Sequence, residues 1–222
     1  MNRILVAPSI LSADILHLAD DIGAVEKAGA DWLHVDIMDG HFVPNLTYGP
    51  KLVKSVRGIT RLPLDVHLML DNPQSFIEKF ATAGADNITV HSETTVPVPQ
   101  LFEIVKSCGK SFGLSIKPDT TLESVAEFLD FVDVLLLMTV YPGFGGQEYL
   151  ERVTPKISEA AGFKSQYGFH YRIEVDGGLN DFTAKAALAA GAEVIVAGEY
   201  IFSHGDYRTA IESLRVARVG DL

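Results

Sequence analysis

Three short segments of this chain are near copies of one another: Ala28-Gly29-Ala30-Asp31, Ala83-Gly84-Ala85-Asp86 and Ala190-Gly191-Ala192-Glu193. Each closes a helix-like stretch and opens an apolar, strand-like one. Glycine suits the position after a last helical turn, because without a Cβ it enters the left-handed region at little cost. The spacing is what limits the fold. Gly84 follows Gly29 by 55 residues, and Gly191 follows Gly84 by 107. Eight equal units in 222 residues would each run to about 28, near the βα length of a (β/α)8 barrel. The two gaps are then two units and four units of an eightfold repeat.

The apolar pattern agrees with that count. It predicts strands at Ile4–Ser9, Trp32–Asp36, Leu64–Met69, Asn87–His91, Ser111–Ile116, Val134–Thr139, Arg172–Asp176 and Val194–Ala197. Helical periodicity fills the intervals, as in Ile15–Ala28, with Ile15, Leu18, Ile22 and Val25 on one face, and in Ser75–Ala83 and Asp181–Ala190. Strands alternating with helices imply a parallel sheet. No linker or low-complexity run divides the chain. The expectation is an α/β protein, a single TIM-barrel domain spanning 1–222.

Hydrophobic residues at 47% supply a large core, yet the central apolar run Val134–Met138 is far too short to cross a bilayer. The start of the chain carries no secretory h-region, since Asn2 and Arg3 lead straight into the first strand. A formal charge of −11 argues against nucleic acid and anionic membranes as partners. Cys108 is the one cysteine, so no internal disulfide forms and a cytoplasmic location is expected.

In such barrels chemistry sits at the C-terminal ends of the strands. There this sequence places Ser9, His34 with Asp36, Asp65 with His67, and Glu174 with Asp176. Residues two apart on a strand share a face, so each pair points the same way. Singly, each reads as a satisfied polar residue. Together, two histidines and two aspartates at one mouth make a site for a divalent ion. Met38, Met69 and Met138 fall at or just past the ends of strands two, three and six, as an apolar cap over a small molecule. Glycines mark an anion-binding side: Gly143-Phe144-Gly145-Gly146 after strand six, Gly177-Gly178 after strand seven and Gly198 after strand eight.

Five longer motifs carry a resemblance. They are Pro8-Ser9-Ile10-Leu11-Ser12-Ala13-Asp14, the run His34 to Asn45, Leu64 to Met69, Met138 to Gln147, and Glu174 to Gly178. From about Ile4 to Phe202 the chain resembles the ribulose-phosphate 3-epimerase family. The resemblance implies a metal-dependent isomerase that inverts C3 of a phosphorylated ketose, D-ribulose 5-phosphate, in the pentose phosphate pathway. It implies one divalent ion, zinc first, with manganese, iron or cobalt as alternatives, held by His34, Asp36, His67 and Asp176. Asp36 and Asp176 would be the acid/base pair. Ser9, His67, Met38, Met69 and Met138 would line the sugar. Gly143, Phe144, Gly145, Gly146, Gly177, Gly178, Gly198 and Glu199 would surround the phosphate. Self-association into a homo-oligomer is expected of barrels of this kind. Glu199 departs from the family, which usually carries Ser or Asn there, and a carboxylate beside a phosphate repels it. The Thr95–Pro99 stretch after the family-like His91-Ser92-Glu93-Thr94 also departs. Asp65 and Glu174, one step deeper on their strands, read as structural or ligand-orienting residues.

Three other functions fit parts of the pattern. A 3-epimerase of a hexulose 6-phosphate, such as allulose 6-phosphate, differs only in how far the phosphate lies from the ion. A lyase on the same barrel would want a strand-end lysine, for which Lys117 is the candidate. A sugar-phosphate-binding protein without catalysis would have no need of the full Asp/His set.

Overall fold

The structure, a computed structural model, describes residues 3–215. Eight strands form one sheet in the order β1-β8-β7-β6-β5-β4-β3-β2, with every ladder parallel. They are β1 (Leu5–Pro8), β2 (Leu33–Met38), β3 (Leu64–Met69), β4 (Asn87–His91), β5 (Ser111–Ile116), β6 (Val134–Met138), β7 (Arg172–Asp176) and β8 (Val194–Ala197). The seam between β1 and β2 is closed by the Asp31 and Trp32 N–H groups, which donate to the Val6 carbonyl at 2.9 and 3.4 Å, and by a parallel bridge from Ser9 to His34. The chain is therefore a (β/α)8 barrel, as the repeat spacing implied.

Outside the sheet run α1 (Leu18–Ala28), α2 (Pro50–Arg57), α3 (Ile77–Ala83), α4 (Val98–Ser107), a 3₁₀ helix (Glu123–Phe131), α5 (Thr154–Tyr167), α6 (Thr183–Ala190), α7 (Glu199–Phe202) and α8 (Tyr207–Arg215). Among the described residues none is long and apolar enough to cross a membrane. The expected helices begin late, for a local reason. The Asp14 carboxylate accepts the Leu16 N–H and pairs with the His17 ring, so the backbone turns before it coils. Ile15, expected on the buried face, is instead 56% exposed and outside α1. Asn180 likewise accepts the Phe182 and Thr183 N–H groups and holds Asp181 out of α6. Gly29, Gly84 and Gly191 all end their helices in the left-handed conformation, with φ of 99°, 114° and 115°.

The acid after each repeat has a common task. The carboxylates of Asp31, Asp86 and Glu193, which lead into β2, β4 and β8, accept the N–H of Val6, Leu64 and Ile173 at the start of the preceding strand, at 2.9, 2.8 and 3.1 Å. Asp133, before β6, does the same for Phe112 at 2.8 Å. Each also meets a cation from the helix two units back: Arg215, Arg57, Lys164 and Lys106 respectively. The barrel floor is thus a fourfold device with a two-unit step, which is why the sequence copies stand two and four units apart.

Side chains alternate along the strands. Val35, Ile37, Val66, Leu68, Ile88, Val90, Leu114 and Val175 join the helices in one continuous apolar layer. The opposite faces carry His34, Asp36, Asp65, His67, Asn87, Thr89, Ser115 and Glu174, all buried. Apolar residues on that inner side form only small islands, such as Leu136, Met138 and Val140. A barrel interior filled by branched apolar side chains is the usual arrangement. Here stability rests on the outer layer, and the interior is given over to polar groups.

Candidate active site

The inward pairs of β2, β3 and β7 meet beneath the mouth. One donor atom each from His34, Asp36, His67 and Asp176 lies within 4.8 Å of all the others. Two threonine hydroxyls fix the strand ends that present them. The Thr47 hydroxyl donates to the Asp36 carbonyl at 2.7 Å and accepts the Met38 N–H at 3.0 Å. The Thr139 hydroxyl donates to the Asp176 and Gly177 carbonyls at 2.8 and 2.6 Å.

Asp36 is the hub. Its Oδ1 faces His34 Nε2 at 3.2 Å and His67 Nδ1 at 3.1 Å, and its Oδ2 accepts the Ser9 hydroxyl at 2.7 Å. Burial disfavours its charge, but the two imidazoles outweigh that and hold the carboxyl well below the usual range. Asp176 goes the other way. Loss of water and the neighbouring Asp36 charge push it up to about 6. Without an ion, the surroundings favour the charged form of one carboxyl group and the neutral form of the other.

A second layer orients the first. Asp65 Oδ2 meets His34 Nδ1 at 2.6 Å, and Asn87 donates to Asp65 Oδ1 at 2.6 Å. Asp36 and Asp65 hold the His34 imidazolium well above its ordinary pKa, against the cost of burial. Glu174 lies below, fully buried and without a hydrogen-bond partner among the described residues. Burial, reinforced by the Asp65 charge, pushes its pKa well up and keeps it a neutral acid. On the other side His67 Nε2 meets His91 Nε2 at 2.9 Å, and His91 Nδ1 meets Glu93 at 3.0 Å. Burial drives His91 down to about 4, whereas His91 and the Thr120 and Lys117 donors bring Glu93 down to about 2 despite its own burial.

The donor set suits a divalent cation. Two imidazoles and two carboxylates converge on one point, with the Asp65 carboxylate behind His34 and the His91 imidazole behind His67. Any ion there would be held by His34, Asp36, His67 and Asp176.

Above this cluster opens a cavity of about 510 Å³. Of the residues picked from the sequence, Ser9, Asp36, Met38, Met69, Met138, Gly143, Phe144, Gly145, Gly146, Asp176, Gly177, Gly178, Gly198 and Glu199 line it. His34 and His67 are fully buried behind Asp36 and do not reach the cavity wall, so His67 meets the ion site and not the space above it. The glycines share one side. The β6 loop folds so closely over Gly178 that a Cβ there would sit 2.2 Å from the Tyr149 backbone nitrogen. Asn45 ties the same loop to the β2 loop by donating to the Gly143 carbonyl at 2.8 Å. Glu199 is exposed on the rim, where water screens its charge.

Lys117, the candidate for lyase chemistry, is not at the cavity. Its ammonium lies over the Phe42 ring at 4.0 Å. The sequence reading gave no task to His91 or Glu93. Their signals were the family-like His91-Ser92-Glu93-Thr94 run and the position of His91 at the end of β4, with Glu93 two residues on.

Comparison with known proteins places the chain in a family. The Ribulose-phosphate 3 epimerase family matches residues 5–202. Ribulose-phosphate 3-epimerase of Bacillus subtilis (strain 168) is 46% identical over 211 residues, covering 95% of this chain and 97% of that one. Ribulose-5-phosphate-3-epimerase, chloroplastic, of Arabidopsis thaliana is 43% identical over 219 residues, covering 98% and 78%. Among solved structures, KGPDC from Streptococcus mutans superposes with a TM-score of 0.71 at 14% identity over 97% of each chain. A 3-hexulose-6-phosphate synthase gives 0.67 at 20% identity over 98% and 100%. The last two share the fold alone, whereas the sequence relatives and the matched length decide the lineage: this chain belongs to the ribulose-phosphate 3-epimerase family.

Proposed function

We propose that the chain acts as one (β/α)8 catalytic domain that interconverts D-ribulose 5-phosphate and D-xylulose 5-phosphate by moving the proton at C3. The observation that carries this reading is the pair of carboxyl groups, Asp36 and Asp176, that reaches the floor of one cavity from separate strands beside two buried imidazoles. Inversion needs a group on each face of a planar enediolate, because a single base returns the proton to the side it left. Asp36 and Asp176 enter from β2 and β7, three strands apart around the barrel. The ionised carboxylate removes the C3 proton from one face, and the carboxylic acid delivers one to the other. In the reverse direction they exchange parts.

The residues of this chain divide the remaining work. Ser9 holds Asp36 by its 2.7 Å hydrogen bond, so the carboxylate does not turn away from the substrate carbon. Met38, Met69 and Met138 keep water from the enediolate face. The N–H groups around Gly143–Gly146, Gly177, Gly178 and Gly198 grip the phosphate and set C3 over the carboxyl pair. His34, Asp36, His67 and Asp176 would hold a divalent cation, zinc first among the candidates, which would supply Lewis-acid stabilisation of developing negative charge.

Exchange in deuterated water tests this. The wild type should place deuterium at C3 as it interconverts the epimers. Asp36→Asn and Asp176→Asn should each lose about 10²–10⁴-fold in turnover. Each should still exchange the proton of the epimer that its surviving carboxylate faces, with bound zinc measured alongside. Wild-type turnover in either variant, or inversion without deuterium entering C3, would refute the two-base assignment. Pentulose 5-phosphate should be preferred over allulose 6-phosphate in a direct comparison.

A further inference from the structure

The two histidines at the cluster face it with different atoms. His34 presents Nε2 and His67 presents Nδ1, each to Asp36 Oδ1. The far nitrogen of His34 goes straight to the Asp65 carboxylate. That of His67 goes to a second imidazole, His91, at 2.9 Å. Two ring nitrogens at that distance hold one proton between them, and the geometry alone leaves its owner open.

The owner is decided at the far end of the chain. His91 Nδ1 faces Glu93 Oε2 at 3.0 Å. The other oxygen, Oε1, already accepts the backbone N–H of Lys117 at 2.7 Å and the Thr120 hydroxyl at 2.5 Å. A carboxylate accepts and does not donate, so His91 must carry its proton on Nδ1. Neutral His91 then has a bare Nε2, and His67 must donate to it from its own Nε2. With a cation standing between His67 Nδ1 and Asp36 Oδ1, which face each other at 3.1 Å, that leaves the lone pair of His67 on Nδ1, aimed at the ion. His67 and His91 are both fully buried, and the Phe42 ring packs on His91 with centroids 4.8 Å apart.

We infer that His91 and Glu93 are positioning residues: through a buried relay they lock His67 in the tautomer whose Nδ1 lone pair can hold a divalent cation. Neither lines the cavity, so neither touches substrate. The inference rests on the reading that His34, Asp36, His67 and Asp176 hold such an ion.

Glu93→Gln separates this role from ordinary packing. The fixed Lys117 N–H keeps the amide oxygen at the Oε1 position, which turns the amide NH2 toward His91. His91 must then accept at Nδ1 and carry its proton on Nε2. His67 in turn accepts at Nε2 and carries its proton on Nδ1, where the ion would bind. Two measurements decide the matter. In the zinc-loaded wild type, long-range ¹H–¹⁵N correlation should show His91 protonated on Nδ1 and bare on Nε2. Chelator competition should show zinc affinity about 10–100-fold weaker in Glu93→Gln than in wild type, the range for loss of a ligand-orienting partner. His91 protonated on Nε2 in the wild type overturns the relay, whether or not the variant folds. Equal zinc affinity in a folded Glu93→Gln also overturns it, while the ion site stands. A wild type that takes up no zinc removes the ion site and the relay together.

Discussion

Gly178 sets how closely the β6 loop covers the proposed phosphate side, and replacing it with alanine should damage stability and binding together. Two costs combine. Gly178 has φ of +68°, where an L residue costs about 1–2 kcal/mol. The new Cβ would also lie 2.2 Å from the Tyr149 nitrogen and 2.7 Å from its Cα. Both are backbone atoms, so the loop has to lift by roughly 1 Å, an overpacking cost of about 1–3 kcal/mol. The total is about 2–5 kcal/mol. For a domain of this size that lowers Tm by about 5–20 °C. Gly146 is the control. Its φ is +70°, but nothing lies within 4 Å of its would-be Cβ, so Gly146→Ala should lose only the conformational part, about 1–2 kcal/mol. Because lifting the loop moves its N–H groups off the anion, Gly178→Ala should also raise KM on the order of 10- to 100-fold. Urea unfolding gives the stability ranking, and initial rates on ribulose 5-phosphate give KM. Equal stability losses in the two variants, or wild-type KM in Gly178→Ala, would show that the close approach has no such consequence.

Other outcomes follow from the charges. Asp176 is raised from 3.8 to about 6, so in metal-free protein its contribution to stability is complete below 3.8 and is lost as the pH rises through 6. A cation needs the ionised form, so zinc should raise Tm more above pH 6 than below it, and its affinity should fall about tenfold per pH unit per displaced proton under 6. Calorimetry with and without zinc across that range checks both. Asp133→Ala leaves the Phe112 N–H at the base of β5 without an acceptor and should cost about 1–3 kcal/mol by urea unfolding, with little change in turnover. Glu199→Gln removes a rim carboxylate beside the glycine loops and should lower KM for the phosphorylated substrate by less than about tenfold, with a smaller effect at high salt. Unchanged KM at low salt would mean that Glu199 and the phosphate do not sense each other.

What the sequence disclosed depended on whether a residue's task is set by its own neighbours. Strand ends were legible because period-two alternation and apolar runs are local, and β3, β4, β5, β7 and β8 fall where that pattern puts them. Helix starts were not, since Asp14 and Asn180 redirect the backbone through side-chain contacts that helical periodicity does not register. The fourth member of the acid device was hidden for a related reason. Asp133 follows a 3₁₀ helix ending at Phe131 and Val132, which needs no capping glycine, so nothing marked it as a copy of Asp31. The inner cluster was legible as strand-end His and Asp residues, but the task of His91 was not. Its meaning comes from the 2.9 Å contact with His67 on the neighbouring strand, and sheet register is where that contact arises.

The same arrangement explains how so acidic a group can be buried. Asp36, Asp65, Glu174 and Asp176 crowd around two imidazoles, and four unpaired carboxylates in such a place would not be tolerated. Without an ion the charge is balanced by protons: one on His34 between Asp36 and Asp65, one on Glu174, and one that joins Asp176 near pH 6. Glu174 can keep its proton in every state, because it lies below the cluster and faces Asp65 rather than the cavity. The His34 proton on Nε2 faces Asp36 at the ion position, so a dication would take its place, and the carboxyl pair would keep the one proton that transfer at C3 needs. On this account the fold tolerates the cluster in both forms, and both carboxyl groups of the pair stay at the cavity wall, where the substrate carbon would lie.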